Sequence, residues 1–510
     1  MRINSIQRNI VLVVFIILKI ALQFHLVSSD YTLHRDEFLH LDQGQHPDWG
    51  FISVPPLTSW ISYLIYLLGN SVFWIKFFPA LFGALTLVVV WKTIEELNGG
   101  WFALVLGAIS VLFSVILRIN ILYQPNSLDI LLWTVVYYAI IKYIKTEKNN
   151  WLYAAGISFA FGFLNKYNIA FLVLGIIPAL LLTSQRKVLV NKHLYYAVGL
   201  AFVIVLPNLI WQYQNNFPVV HHMKELQETQ LQKIDKADFF KEQILFFLGS
   251  FFVLLISFIG FWIYKPFRNY RVFFWSFIMT MFFFVILNGK AYYTIGLYPV
   301  LLAFGAVYTE KLLEKKWLLY LRPVCILIPL LLFMPMYQLA FPNKSPKYIK
   351  EHSEKYKELG MLRWEDGNDH DLPQDFADML GWEELAQKTD KALGIIGDTD
   401  NVMVLCDNYG QAGAINFYKK NKSVSAVSFN ADYVNWFPLD KKIETVILVK
   451  EAENKLEAKT FYGKIFSTVE DFDSVQNNLA REYGTTIFIL KKPKTDIKAV
   501  LKKWITESKE

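Results

Sequence analysis

The sequence predicts a polytopic α-helical membrane protein that carries a small α/β domain at its C-terminal end. Of its 510 residues, 54% are hydrophobic and only 19% are charged, a balance typical of membrane proteins rather than of soluble enzymes. Apolar runs close to 20 residues long recur as far as residue 341, whereas residues 342–510 have the composition of a soluble domain. We therefore expect a membrane domain over 1–341 and an α/β domain over 342–510.

The charge is unevenly distributed between these two parts. Residues 1–341 contain 26 Lys and Arg against 16 Asp and Glu, and residues 342–510 contain 25 against 28. The overall net charge of +7 therefore comes from cations that flank membrane spans. The sequence contains no basic patch interleaved with aromatic residues, so nucleic acid is not an expected partner. The two cysteines, Cys325 and Cys406, exclude a disulfide framework.

The apolar runs predict about eleven transmembrane helices, within a range of nine to thirteen. A helix needs about 20 residues to cross the hydrocarbon core. The first run follows Arg2 and Arg8 and lacks a small-residue cleavage site, so we expect a retained helix. The runs are 10–27, 72–94, 101–119, 128–145, 150–164, 167–184, 193–211, 243–264, 270–288, 292–310 and 317–341.

Clustered Lys and Arg residues predict the orientation, because short cytoplasmic loops are rich in them. With a cytoplasmic N-terminus, the basic hairpins near 142–148, 186–192, 265–271 and 311–316 lie inside. The acidic first outer loop, 28–70, and the C-terminal domain then share the outer compartment, which we expect to be outside a bacterial inner membrane. Residues 57–68 of this loop follow Pro55-Pro56 and are too short to span, so they predict an interfacial helix.

Beyond residue 342, helix-like and strand-like patterns alternate. The segment 375–393 has helical spacing, and the segments 401–406, 445–449 and 485–490 are short apolar runs typical of strands. These patterns predict the α/β domain.

Two acidic groups are candidate site residues. Arg35, Asp36 and Glu37 follow the first span, where carboxylates are either solvated loop charges or part of a site. Asp129 follows Pro125-Asn126-Ser127, a sequence that by itself describes a helix start. A carboxylate in a first helical turn also gains from the helix dipole, so Asp129 has a structural explanation as well.

A third group is cationic. Lys76, Lys166 and Lys290 are expected on the outer side, against the positive-inside trend. Each side chain either snorkels to headgroups or binds an anion such as a lipid phosphate. Binding of a divalent metal stays an open possibility because the chain has histidines at 34, 40, 46, 221 and 222. Their spacing defines no ligand set, and no cofactor is assigned. Phosphate-binding glycine loops and G-x-S-x-G are absent from the sequence.

Several of these residues lie in segments that resemble a known family. The run Arg35-Asp36-Glu37 through Trp49-Gly50 to Pro55-Pro56-Leu57 is similar to the first outer loop of the family 39 glycosyltransferases, which have the GT-C fold. This group includes protein O-mannosyltransferases and the bacterial transferases that add aminoarabinose to lipid A. The similarity extends to the segments Pro125–Trp133, Leu164–Tyr167, Gly289–Tyr293, Tyr298–Pro299, Gly305–Ala306 and Asn408–Tyr418.

The resemblance implies an inverting transfer of a sugar from a polyprenyl-phosphate donor to an acceptor hydroxyl or amine of a lipid, glycan or protein. It implies that Asp36 is the general base, with Glu37 in support and Asp129 orienting the acceptor or the loop. Lys166, Lys290, Tyr292, Tyr293 and Arg35 are the candidates for binding the donor and its phosphate. Ser53-Val54 departs from the acidic or amide residue common in relatives, so acceptor contacts are expected to differ.

The Asn408–Tyr418 segment offers no derivable chemistry, and Gly410 and Gly413 are interpreted as turn residues. The main functional alternative is a secondary transporter or lipid flippase. Such a protein is expected to show interrupted spans at equivalent positions in two halves and charges near mid-bilayer. Here the acids lie at helix ends on one side, which favours the enzyme. A membrane anchor would need far fewer spans.

Overall fold

A computed structural model describes residues 5–229, 231–421 and 423–509. The chain forms two compact units, each built from several segments. The first unit, the membrane unit, combines Met1–Leu26, Asp48–Thr58 and Phe73–Phe341. The second, the sheet unit, combines Val27–Pro47, Ser59–Val72 and Pro342–Glu510. Two segments of the predicted first outer loop thus group with the C-terminal residues.

Sixteen α-helices precede residue 342 in the part of the chain that the structure describes. They are α1 (Ser5–His25), α2 (Arg35–Gln45), α3 (Leu57–Leu67), α4 (Val72–Glu96), α5 (Trp101–Leu112), α6 (Val115–Ile119), α7 (Pro125–Thr146), α8 (Asn150–Asn165), α9 (Ala170–Leu181), α10 (Lys192–Gln214), α11 (Pro218–Thr229), α12 (Lys236–Phe246), α13 (Phe251–Ile263), α14 (Arg271–Ile286), α15 (Tyr298–Leu312) and α16 (Arg322–Leu339).

All eleven apolar runs coincide with helices, and the chain is an integral membrane protein. Among the described residues, seven helical segments are long and apolar enough to cross a membrane, and two bent pairs raise the number to nine. The bends are 110° after α9 and 70° between α12 and α13. The remaining two runs coincide with the shorter helices α5 and α8. The number eleven stays a prediction.

The core of the membrane unit lies around α15. The candidate span Ala291–Leu312 consists of α15 and the turn before it, and 89% of an 18-residue stretch of it is buried, far more than in any other candidate span in the described part of the chain. It packs against α5 and α13, and its side chains Val300–Ala303 are at most 1% exposed. A helix that is surrounded by other helices is expected to be apolar on every side.

The sheet unit contains the remaining elements. Its helices after residue 342 are α17 (Pro346–Glu351), α18 (Ser353–Glu358), α19 (Gln374–Ala377), α20 (Trp382–Ile396), α21 (Tyr409–Tyr418), α22 (Lys455–Ile465) and α23 (Ile497–Glu507). Its strands are β1 (Val402–Cys406), β2 (Ala426–Ser428), β3 (Thr445–Lys450), β4 (Phe466–Ser474) and β5 (Thr486–Pro493). The strand order is β2-β1-β3-β5-β4, parallel from β2 to β3 and antiparallel from β3 to β4.

The expected α/β domain is confirmed. The three predicted strands are β1, β3 and β5, the inner strands of the sheet, whose apolar runs are buried. Both edge strands were missed, since β2 has three residues and β4 is rich in polar residues. The helical pattern at 375–393 forms two helices, because Gly381 adopts a φ of +83° between them.

The first-loop helices are α2 and α3. The short apolar helix at 57–68 is confirmed as α3, while its location at a membrane interface stays a prediction. Residues 35–45, which belong to the predicted first outer loop, form the helix α2. Gly44 and the two aspartates, Asp36 and Asp42, lower the intrinsic helix propensity of this segment. Residues 38–44 are all buried, so tertiary packing stabilises the helix.

Candidate functional site

The N-terminus of α2 determines the roles of the two adjacent acids. The backbone N–H of His34 donates to Glu37 Oε2 at 2.7 Å, and the backbone N–H of Asp36 donates to His34 Nδ1 at 3.2 Å. This reciprocal pattern is a capping arrangement. Glu37 is fully buried, whereas the Asp36 side chain keeps 35% of its surface exposed. Glu37 is therefore a helix-capping residue, and Asp36 is the acid that solvent can reach.

The Asp36 carboxylate is surrounded by groups that favour its charged form. The hydroxyl of Tyr409 donates to its Oδ1 at 2.6 Å, and the guanidinium of Arg35 lies 4.6 Å from the centre of the Tyr409 ring. Burial acts to raise the pKa of Asp36, but His34, Arg35 and the Tyr409 hydrogen bond outweigh it and hold the pKa below its ordinary value. Asp36 is therefore ionised at neutral pH.

Tyr409 reaches Asp36 because α21 packs closely against α2. Asn408 caps α21 by accepting from the backbone N–H of Gln411 at 3.0 Å. A Cβ on Gly413 would lie 2.6 Å from Phe38 Cβ, and one on Gly410 would lie 3.1 Å from the Cβ of the α2 residue Arg35. The interpretation of both glycines as turn residues is wrong. They lie inside α21, where the absent side chains allow the two helices to approach.

A second carboxylate of α2 is buried in the same unit. Asp42 is 4% exposed and accepts from Asn416 Nδ2 at 2.8 Å and from the Tyr433 hydroxyl at 2.7 Å. Burial raises the pKa of Asp42 to about 6, despite these two donors and the charge of Lys419. Both ends of α2 are thus bonded through carboxylates to C-terminal residues.

In the membrane unit, Asp129 is a buried hydrogen-bond acceptor. It is 4% exposed and accepts from Trp133 Nε1 and from Asn168 Nδ2, both at 3.0 Å. The expectation that Asp129 lies in the first turn of its helix is wrong, because α7 begins at Pro125. The two neutral donors, rather than the helix dipole, satisfy this carboxylate.

Lys166 and the two tyrosines form a cluster next to Asp129. Lys166 Nζ donates to Asn126 Oδ1 at 2.6 Å and lies 4.3 Å from the ring centre of Tyr293 and 5.1 Å from that of Tyr292. The ammonium therefore rests against aromatic faces, a favourable position for a cation. Lys290 directly precedes the 3₁₀ turn Ala291–Leu297, which carries both tyrosines.

The structure thus separates the predicted site residues into two groups. Asp129, Lys166, Lys290, Tyr292 and Tyr293 belong to the membrane unit. Arg35, Asp36 and Glu37 belong to the sheet unit, so Arg35 is grouped with the acids rather than with the other cations.

Sequence reasoning assigned no role to three residues that the structure brings to these clusters. Tyr409, Asn168 and Asp42 all stand in or beside segments with recognisable motifs. The pairing of Tyr409 with Asp36 joins positions 373 residues apart. Such a long-range contact leaves no trace in local periodicity.

Across residues 5–229, 231–421 and 423–509, no three His, Cys, Asp or Glu side chains form a group suited to a metal ion. The open question of a divalent metal stays untested.

A family model supports the resemblance found in the sequence. Residues 53–211 match the model described as dolichyl-phosphate-mannose-protein mannosyltransferase. The lipid A galacturonosyltransferase RgtD of Rhizobium johnstonii is 26% identical over 200 residues. That alignment covers 38% of this chain and 41% of RgtD, so the chain matches less than half the length of this curated relative.

The fold is similar to that of ArnT from Cupriavidus metallidurans. The crystal structure of ArnT bound to undecaprenyl phosphate has a TM-score of 0.63 at 13% identity, over 95% of this chain and 98% of ArnT. The apo structure has a TM-score of 0.62 at 12% identity, over 94% and 97%. The chain therefore has the fold of ArnT, and the resemblance of its sequence to this group of membrane glycosyltransferases is confirmed.

Proposed function

We propose that this protein is an inverting glycosyltransferase that moves a sugar from a polyprenyl-phosphate donor to an acceptor hydroxyl or amine. The observation that carries the proposal is the Asp36 carboxylate, which is ionised, accessible to solvent and hydrogen-bonded to the Tyr409 hydroxyl. RgtD is a lipid A galacturonosyltransferase, and ArnT binds undecaprenyl phosphate. Both facts favour a lipid-phosphate donor and a lipid acceptor for this chain.

Asp36 is proposed as the general base. It removes the proton from the acceptor oxygen or nitrogen, which attacks C1 of the sugar on the face opposite the phosphate. The bond between C1 and the phosphate oxygen breaks, and the electron pair leaves with the polyprenyl phosphate. General-base assistance contributes about 10²- to 10⁴-fold to the rate. Glu37 supports Asp36 by capping α2. Asp129 orients the side chains of Trp133 and Asn168 by accepting a hydrogen bond from each of them.

Lys166 and Lys290 are proposed to bind the donor phosphate, with Tyr292 and Tyr293 beside them. A leaving phosphate gains negative charge in the transition state, and cations near it stabilise that charge. Lys166 lies against both tyrosine rings, which orients its ammonium without neutralising it. Arg35 is proposed to stabilise the ionised Asp36 rather than the phosphate, since its guanidinium lies over the Tyr409 ring.

We propose a bacterial inner-membrane location, with the N-terminus in the cytoplasm and the C-terminal domain outside. The basic hairpins at 142–148, 186–192, 265–271 and 311–316 favour this orientation. Residues 1–341 are proposed as the catalytic membrane domain and 342–510 as an outer domain. The acceptor is proposed to be a lipid, a glycan or a protein, and nucleic acid is not a proposed partner. No cofactor is assigned, and activity with and without EDTA tests for a divalent metal.

The transporter alternative is not favoured, because RgtD is a transferase. One experiment separates the two functions. The purified chain is reconstituted in liposomes with lipid A and a panel of undecaprenyl-phosphate-linked pentoses, hexoses and galacturonic acid. The enzyme releases undecaprenyl phosphate and adds a sugar to lipid A or to another supplied acceptor. Movement of donor between leaflets with no release of undecaprenyl phosphate from any donor would replace the proposal with the transporter.

A further inference from the structure

We propose that Tyr409, on α21 of the C-terminal segment, positions Asp36 for proton transfer. This inference rests on the proposed function and adds a residue to it. The Tyr409 hydroxyl donates to Oδ1 of Asp36 at 2.6 Å, which restricts rotation of the carboxyl group. The other oxygen, Oδ2, lies 3.8 Å from His34 Nδ1. A hydrogen bond to one oxygen fixes the orientation of the carboxylate, and with it the direction in which Asp36 takes the acceptor proton.

Tyr409 is suited to donate, because it remains protonated beside a charged acid. Burial raises the pKa of the Tyr409 hydroxyl, and the negative charge of Asp36 raises it further. The phenol therefore does not compete with Asp36 as a base. Its ring is held independently of its hydroxyl, since the Arg35 guanidinium lies 4.6 Å from the ring centre. Replacement by Phe preserves this ring contact and removes the hydroxyl alone.

The contact between Tyr409 and Asp36 is one part of a larger packing interface between α21 and α2. Gly410 and Gly413 allow the helices to approach, and Phe38 of α2 packs against Phe417 and Tyr418 of α21, with ring centroids 5.8 and 5.9 Å apart. At the other end of α2, Asp42 binds Asn416 and Tyr433. A residue of the outer domain is thereby placed on the proposed base.

Other charged groups also face this carboxylate, and the test has to separate them from Tyr409. On α2 and its cap they are His34, Arg35 and His40. From the segment after α19, Asp378 adds a negative charge, which Arg481 Nη1 contacts at 3.3 Å. All of them are unchanged in a Tyr409→Phe variant, so a difference from the wild type reports the hydroxyl.

The test compares Tyr409→Phe with Tyr433→Phe in the full chain, reconstituted with the donor panel and lipid A. Tyr433 offers a matched control, because its hydroxyl also donates to a carboxylate of α2, and the proposed reaction assigns no step to Asp42. We expect kcat to fall about 10- to 100-fold in Tyr409→Phe, the loss expected for a hydrogen bond to a charged group. The KM for the donor stays unchanged, and the acid limb of the kcat profile moves to higher pH.

Tyr433→Phe is expected to keep the position of the acid limb, even where its stability falls. The proposal is overturned if Tyr409→Phe has the wild-type kcat and pH profile, or if both variants lose activity in parallel with their thermal stability. Failure of the proposed function gives a different result, because the wild type then releases no undecaprenyl phosphate from any donor. Failure of the base assignment alone leaves Asp36→Asn with its turnover. If Asp36→Asn is inactive and Tyr409→Phe is fully active, only the proposed role of Tyr409 is contradicted.

Discussion

Replacement of Gly413 by Ala is expected to move α21 away from α2, the helix that carries the proposed base. The new Cβ would lie 2.6 Å from Phe38 Cβ and 3.2 Å from the Phe38 carbonyl carbon. These atoms belong to or adjoin the α2 backbone, so rotation of a side chain cannot relieve the overlap. Overpacking of this kind costs about 1–3 kcal/mol, against a gain of about 0.5–1 kcal/mol from replacing a helical glycine.

Gly394 provides the matched control for this prediction. It also lies inside a helix of the same unit, α20, and a Cβ at this position would meet no atom of the described structure within 4 Å. The helix-propensity gain alone therefore applies, and Gly394→Ala is expected to stabilise the protein by about 0.5–1 kcal/mol. The two substitutions thus have opposite expected signs.

The assay is thermal unfolding of the purified full chain in one detergent, followed by turnover at a temperature where both variants remain folded. We expect Gly413→Ala to lower the transition temperature and the turnover, because displacement of α21 lengthens the bond between Tyr409 and Asp36. Gly394→Ala should raise the transition temperature and leave turnover unchanged. A stabilised, fully active Gly413→Ala would refute the close packing of α21 on α2.

Two further predictions concern the buried acid of α2 and the cation of the membrane unit. The pKa of Asp42 is raised from 3.8 to about 6, so the folded state binds more protons between these values and stability falls as pH rises from about 4 to 6, by about 3 kcal/mol in total. Asp42→Asn should flatten this part of a pH series of unfolding curves, and an unchanged slope would show that Asp42 is not its source. Lys166→Gln should weaken binding of undecaprenyl phosphate about 10-fold or more, measured by calorimetry, through loss of a charge-assisted contact. Lys148→Gln, at an exposed site, should not change the affinity, and equal affinities for both variants would exclude Lys166 from the phosphate site.

The fold was largely predictable, because its signals are local. Apolar runs near 20 residues located every long helix of the membrane unit, and the inner strands β1, β3 and β5 followed from short apolar segments. The failures occur where tertiary contacts override local preference. The α2 segment has a polar, glycine-containing sequence, and it forms a helix because α21 packs against it and Tyr433 binds Asp42.

The candidate site residues stay predictions, and the geometry around them could not be predicted from the sequence. Asp36, Asp129 and Lys166 were identified by their positions at helix ends and by resemblance. The contacts that define their chemistry connect distant parts of the chain, such as Tyr409 with Asp36 and Asn168 with Asp129. Gly413 illustrates the limit best, since a helical glycine and a turn glycine are indistinguishable until the neighbouring helix is known.

Replacement of Asp36 by Asn tests the central claim most directly. Asn keeps the size of the side chain and can still accept from Tyr409, but it cannot take a proton. Asp30→Asn is the control, because Asp30 is an exposed acid nearby in the chain. With the donor that supports turnover, Asp36→Asn should lose about 10²- to 10⁴-fold in kcat, while it binds undecaprenyl phosphate normally and Asp30→Asn turns over at the wild-type rate. Wild-type turnover in a folded Asp36→Asn would contradict the assignment of Asp36 as the base.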